Sequence, residues 1–365
     1  MHLKQASLLS KEWGAPHIWG GNLMSKKIFF TSLIFILILS CFLFGEIKKL
    51  LVIGSNEPNY LFMAISGVAL DENKNVYICD SGGAFLRKYD SKGNFIKEIG
   101  RQGQGPGEFS NSIGPLCCDS QGLYLLDALN HRIAVFDKEL NVKNYVKLEG
   151  IKLSLSKIGD YFYLLAKKPG EPFMQIEIYN QDGQLVSSFF DQRPPFLKNK
   201  NFSKQEYPIW MRYSGICLAT DPILKELAVT FQYPGDKVEL FFYTEKGQFK
   251  NKIELNHIVD YKFPEFLLKV PSNYPDRSSL VFIKSIHYLG QKHILLEYWL
   301  VNYESNKVKE EKHYLLVVDR GSGKIIHQEK ISDISLTVMN IKDDFICASE
   351  VDKDIPKVAL YKISY

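Results

Sequence analysis

Short apolar runs broken by polar turns set the rhythm of the chain from about residue 60 onward. In "GVALDENKNVYICDSGGAFLRKYDSKGNFIKEIG", Gly67 to Gly100, runs such as "VYICD" and "FLRKYD" alternate with Asp-, Asn- and Gly-rich breaks. Valine, isoleucine, tyrosine and phenylalanine fill the runs, as half-buried pleated strands require, and the breaks hold the residues that tight turns use. No later segment keeps a helical period, so the pattern predicts an all-β chain.

The pattern repeats. "GPLCCDSQGLYLLDALNHRIAVFDKELNVKNYVKL", Gly114 to Leu148, aligns with the first unit so that Asp80 falls on Asp127 and Asp90 on Asp137, each pair 47 positions apart (127 − 80 and 137 − 90). Four-stranded propeller blades take about 40–50 residues. Fainter copies end at Phe190, Leu255 and Ile331, and the last unit, with "DFICASE" and "KVALYKISY", holds only three strands. "IKKLLVIG", Ile47 to Gly54, is the expected fourth, because pairing the first and last strands closes a ring and removes two exposed edges. The expected fold for residues 46–365 is therefore a six-bladed β-propeller of four-stranded antiparallel blades.

Between the two clear units lies "EIGRQGQGPGEFSNS", Glu98 to Ser112. Its glycines invite a phosphate-binding reading, but a P-loop needs Gly-Lys-Ser/Thr at its end, and here Glu108 and Phe109 follow Gly107. A dinucleotide fingerprint also fails, since the glycine spacing is wrong and no helix follows. The glycines instead suit a tight connector. "GRQGQGPGEF" followed by "LYLLDALNHRIAVFD" resembles the NHL repeat, a module of six-bladed propellers, through Gly107, Phe109, Asp127, Asn130, His131, Arg132, Ile133, Phe136 and Asp137. The first unit keeps Asp80, Tyr89, Asp90 and Gly93 but has "GAF" in place of "NHR". The match covers about residues 66–148. It implies that the Gly-rich segment joins the outer strand of one blade to the inner strand of the next. The chain is similar to exported bacterial propeller proteins of this kind.

The N-terminus carries the compartment signal. From Met24, Lys26 and Lys27 precede an uncharged apolar run, Ile28 to Gly45, which reads as a signal peptide or a retained anchor over 24–45. "ILSC" resembles a bacterial lipobox and makes Cys41 a lipidation candidate; the alternative is that Cys41 is one more apolar residue of the run. Residues 1–23 precede this signal and read as a gene-model extension outside the fold. Export predicts a periplasmic or cell-surface location with membrane association through the N-terminal segment. With 45 basic and 41 acidic residues the formal charge is only +4, which argues against nucleic acid as a partner. Six cysteines show no Cys-x-x-Cys and no zinc spacing, and Cys79, Cys217 and Cys347 sit in strand-like runs as small buried hydrophobes.

Candidate chemistry is sparse. Asp80 and Asp127 are either ligands at the channel mouth or carboxylates that accept backbone N–H groups in turns. His257, His287, His293, His313 and His327 show no ligand spacing, and no nucleophile elbow is present. No cofactor is expected; the alternative, implied by similar propeller lactonases and lyases, is one divalent metal such as calcium in the channel of a hydrolase or lyase. The most distinctive segments are two long connectors, 190–215 and 257–279, rich in proline, aromatic and basic residues. Tyr207, Trp210, Arg212 and Tyr213 with Tyr261, Tyr274 and Arg277 are the expected ligand-binding residues, since such side chains bring large contact area at low entropic cost. The alternative is that they pack back on the blades. The expected function is a binding module for a protein, peptide or carbohydrate of the cell envelope.

Overall fold

The computed structural model describes residues 47–167, 173–190, 215–234, 237–255, 277–304, 307–331, 336–352 and 355–363. The runs named above become strands. After β1 (Ile47–Ile53), the first blade is β2 (Ile65–Leu70), β3 (Val76–Asp80), β4 (Phe85–Tyr89) and β5 (Phe95–Ile99). The second is β6 (Ile113–Cys118), β7 (Leu123–Asp127), β8 (Arg132–Phe136) and β9 (Val142–Lys147). The third is β10 (Ser156–Ile158), β11 (Tyr161–Lys167), β12 (Met174–Tyr179) and β13 (Leu185–Phe189). The fourth is β14 (Ile216–Asp221), β15 (Glu226–Phe231), β16 (Val238–Thr244) and β17 (Phe249–Leu255), and the fifth β18 (Arg277–Leu289), β19 (His293–Glu304), β20 (Lys307–Asp319) and β21 (Ile325–Ile331). The sixth runs through β22 (Thr337–Lys342), β23 (Phe345–Asp352) and β24 (Ile355–Ile363), and β1 completes it in the order β1-β24-β23-β22. The molecule is an all-β six-bladed propeller, and β1 is the closing strand, antiparallel to β24 from Ile47↔Ile363 to Ile53↔Val358. No helix occurs among the described residues.

Both faces of each blade are apolar and pack on neighbours. Tyr77, Cys79 and Leu86 meet Leu123 and Phe136 between the first two blades. Ile53, Val68 and Ile78 meet Cys347 and Val358 across the closing seam. Comparable clusters fill the other four seams. Burial on both sides explains why the inner strands read as continuous apolar runs.

The register defines two ends of the disc. Ile65 pairs with Asp80, Cys79 with Leu86, and Leu86 with Ile99, so the start of the inner strand, the second-to-third-strand turn and the end of the outer strand share one end. This is the connector face, and the opposite end is the turn face. The recurrent Asp90 and Asp137 belong to the turn face. Asp90 Oδ1 accepts the N–H groups of Lys92 and Asn94 at 2.9 and 2.8 Å, and Asn94 Nδ2 donates back to Oδ2 at 2.8 Å. Asp137 repeats this with Glu139 and Asn141, and Asn180 repeats the backbone bonds with Asp182 and Gln184. The repeated carboxylate is thus a side-chain replacement for turn hydrogen bonds.

The Gly-rich stretch links β5 to β6. Gly100 has φ +112°, and a Cβ there would lie 2.6 Å from both Ala84 O and the Phe109 ring, so only glycine fits. Glu108 accepts the N–H groups of Gln104 and Gly105 at 3.1 and 2.9 Å and pairs with Arg101 at 2.7 Å. Its carboxylate occupies the backbone donors that a phosphate would need. Arg132 donates to Gln104 O and Glu108 O, and Asn130 to Gly103 O, so two residues of the repeat motif hold the connector down.

Candidate functional site

Asp80 and Asp127 both sit at the connector face, fully buried. Asp80 accepts N–H groups from Met63 at 2.6 Å, Ala64 at 3.2 Å and Gly83 at 2.8 Å. Asp127 accepts from Ser110 Oγ at 2.6 Å, Asn130 Nδ2 at 2.8 Å and Arg132 Nε at 3.0 Å. Each carboxylate is spent on tying a connector to a strand end. Tyr207, Trp210, Arg212, Tyr213, Tyr261 and Tyr274 lie outside the described residues. So do Cys41 and His257. Arg277 opens β18, paired through its backbone with Glu304, so the second connector is shorter than the sequence reading of 257–279. Among the described residues no group of three or more His, Cys, Asp or Glu side chains is placed to hold a metal ion. Among the same residues no helix is long and apolar enough to cross a membrane; the run 28–45 lies outside them.

The fifth blade departs from the repeat. β18, β19 and β20 have 13, 12 and 13 residues, against five or six in the first blade. Among the described residues β21 pairs with β20 only from His313 to Val318, and β18, β19 and β20 continue beyond that point. At roughly 3.3 Å per residue the six β20 residues ahead of His313, 307–312, extend about 20 Å on the connector face.

A polar cluster forms where this extension leaves the disc. In the first blade the register of β2 against β3 slips between Ile65 and Gly67, leaving Ser66 as the bulged residue. In the fifth the slip falls between Ile283 and Ser285, leaving Lys284. Bulges re-aim side chains and collect near functional sites. Opposite the bulge, Glu297 pairs with Leu315, four residues before Asp319, as Leu86, Ile133 and Ile176 stand four before Asp90, Asp137 and Asn180. The equivalent residues are Cys79, Leu126 and Leu165 in the first three blades. A carboxylate therefore occupies a core position that these blades fill with an apolar side chain.

Glu297 is fully buried. Its Oε2 accepts the Val338 N–H at 2.8 Å from the sixth blade and the Ser285 hydroxyl at 3.1 Å. Oε1 lies 3.2 Å from Lys284 Nζ, an ion pair whose angle falls short of a hydrogen bond. Lys284 donates to Leu336 O at 2.9 Å, and its side chain keeps 18% exposure. Its ammonium stands 4.6 Å from the centroid of the Trp299 ring, which stacks on His313 at 4.1 Å and 11°. Phe282 meets the same indole edge-on. Burial pushes the Glu297 carboxyl above its usual range, and Lys284 and the Val338 N–H oppose that only in part. Burial first, and the Lys284 charge second, lower the His313 imidazole. Burial drives His287 down to about 4, against its hydrogen bond to Val338 O. Trp299 Nε1 is buried without an acceptor among the described residues. The arrangement offers cationic and N–H donors beside an aromatic stack, over a carboxylate that resists ionisation. The sequence signal was "ILLEYWL", a lone glutamate inside an apolar strand.

Comparison with known proteins agrees with the fold. A family model described as a 6-bladed beta-propeller matches residues 58–168, the first two blades and the start of the third. No curated protein matches the sequence. Among solved structures, a member of the DUF4221 family from Bacteroides vulgatus superposes with a TM-score of 0.57 at 12% identity, covering 88% of this chain and 98% of its own. A Bacteroides fragilis protein described as exported gives 0.55 at 10% identity, covering 88% and 96%. Likeness at this identity is a likeness of fold.

Proposed function

We propose that the chain is an exported, envelope-associated propeller that binds a peptide, protein or carbohydrate on its connector face. The observation that carries this reading is the break in the repeat at the fifth blade, where a strand extension, a bulged lysine, a stacked Trp299–His313 pair and a buried Glu297 coincide. Departures from an otherwise consistent pattern are where function is expected. The connectors that carry Tyr207, Trp210, Arg212, Tyr213, Tyr261 and Tyr274 leave and re-enter the described chain on this face, after Phe190 and Leu255 and before Gly215 and Arg277. Export is supported by the Lys26–Lys27 and 28–45 pattern and by the exported description of the Bacteroides fragilis neighbour.

Two experiments test it. Calorimetric titration with envelope glycan fragments and peptides should give binding that Trp299→Ala or Trp210→Ala weakens while circular dichroism is unchanged. Binding unaffected by both variants would move the site elsewhere. A reporter fused after Tyr365 should be active only outside the cytoplasm, and activity inside would reverse the export reading.

A further inference from the structure

Resting on that binding reading, we propose that Lys284 is its anion-recognition centre, that the ligand presents a carboxylate, and that Glu297 takes up a proton as the ligand binds. An ammonium has three protons to give. One goes to Leu336 O, one side faces Glu297 Oε1, and the side chain keeps 18% exposure beside the Trp299 ring, so it is within reach of a ligand. Trp299, whose ring centroid lies 4.6 Å from that ammonium, carries a second donor, a buried Nε1–H without an acceptor among the described residues. A buried unsatisfied donor calls for an explanation, and an acceptor supplied by a ligand is one. The donor set is small, suiting the single charge and two oxygens of a carboxylate. A tetrahedral dianion would bring more charge than one lysine balances.

A second carboxylate on Lys284 places two anions around one ammonium, and like charges at close range cannot both stay ionised without strong cost. Glu297 is the one that yields. It is fully buried, burial already raises it, and its main counter-charge is the lysine that the ligand now shares. The other titratable groups around it do not replace that charge. His313 and His287 are both lowered by burial, and Cys217 from β14 is a thiol pushed up to about 12 by burial, with Glu297 adding to the rise. Protonated, Glu297 can still accept the Val338 N–H, and Ser285 Oγ stands ready to accept its new proton, so the seam to the sixth blade holds.

The test uses the full chain and matched probes: glucuronate with glucose, N-acetylmuramate with N-acetylglucosamine, and inorganic phosphate. Titration in two buffers of different ionisation enthalpy measures proton uptake on the unmodified protein. The acids should bind at least tenfold tighter than their neutral partners, with close to one proton taken up and affinity rising as pH falls from about 8 to 6. Glu297→Gln should bind the acids tightly with no proton uptake and no pH dependence, and Lys284→Met should lose the preference for acids. Neutral sugars binding as well as acids would overturn the carboxylate assignment and leave the binding face standing. Phosphate binding as well as the acids would show a general anion site and overturn it too. Acid binding without proton uptake would remove the role of Glu297, and failure of every probe in the wild type would overturn the inference as a whole.

Discussion

Replacing Glu226 by Gln tests what holds one blade to the next. Glu226 opens β15 and is fully buried at the turn face. Arg320 from the fifth blade donates to it twice, through Nε at 2.6 Å and a terminal nitrogen at 2.5 Å, Tyr288 donates at 2.9 Å, and Lys250 pairs with it from its own blade. The amide keeps the shape and removes the charge. Breaking a buried pair by removing one partner costs about 3–5 kcal/mol, because the other charge is left uncompensated. Arg320 and Lys250 retain 25% and 39% side-chain exposure and can turn to water, so about 3 kcal/mol is expected. The pH dependence provides a second check. Burial would raise this carboxyl, but the Arg320, Lys250 and Tyr288 hydrogen bonds outweigh burial and hold it below its ordinary 4.5. A depressed carboxylate contributes stability above its unfolded value and loses it as pH falls through its folded one. Urea unfolding followed by circular dichroism should therefore show a gap of about 3 kcal/mol between wild type and Glu226→Gln at neutral pH, shrinking steadily below pH 4.5. A gap under about 1 kcal/mol at neutral pH, or one that persists unchanged in acid, would refute the reasoning.

Deleting Ile47–Ile53 should abolish cooperative folding, since β24 loses its partner and the closing seams lose Ile47 and Ile53; a truncated chain melting within a few degrees of the intact one would contradict closure. Asp127→Asn should cost about 3 kcal/mol in urea unfolding, because the largely covered Arg132 loses its fully buried counter-charge, whereas Asp90→Asn should leave the urea midpoint essentially unchanged, as Asn180 already makes that turn naturally. Burial raises the thiols of Cys79 and Cys217 to about 12, so a thiol-reactive chromophore at mildly alkaline pH should label these two only as the protein unfolds, and their rapid labelling in the native chain, located by peptide mapping, would contradict the core placement.

The blades and the closing strand were legible in the sequence because they are written locally. A short apolar run between turn residues marks a strand wherever it stands, and "YDSKGN" or "FDKELN" marks the turn after a third strand through the hydrogen bonds of its own Asp. The three-stranded last unit demanded a partner, and Ile47–Ile53 supplied it. The fifth-blade extension was hidden for the same reason. "HILLEYWLVNYE" reads as one strand, and nothing within it marks where the disc ends, so 277–279 were assigned to a connector although β18 begins at Arg277. Asp80 and Asp127 were visible as recurrent carboxylates, but their partners at Met63, Ala64 and Ser110 come from connectors that only the fold brings near. Lys284 and Glu297 went unmarked because recognising a charge in a core position requires the register of β18, β19 and β20 together.

That pair also separates stability from function. A buried salt bridge is weak evidence for stability, because taking two charges out of water offsets much of their attraction. If Lys284 and Glu297 served only to join the fifth and sixth blades, apolar residues of similar size would serve as well, as Cys79 and Leu126 do at the equivalent position in the first two blades. Removing Lys284 alone should destabilise the protein at neutral pH, since Glu297 would then be buried without its counter-charge. Lys284→Met combined with Glu297→Leu should recover that loss and leave stability unchanged or raised by about 1–4 kcal/mol in urea unfolding. The same double variant should no longer discriminate carboxylate from neutral sugars. A double variant less stable than Lys284→Met alone would show that the charges are structural. A more stable protein that has lost its ligand would show that the fold keeps them for the site.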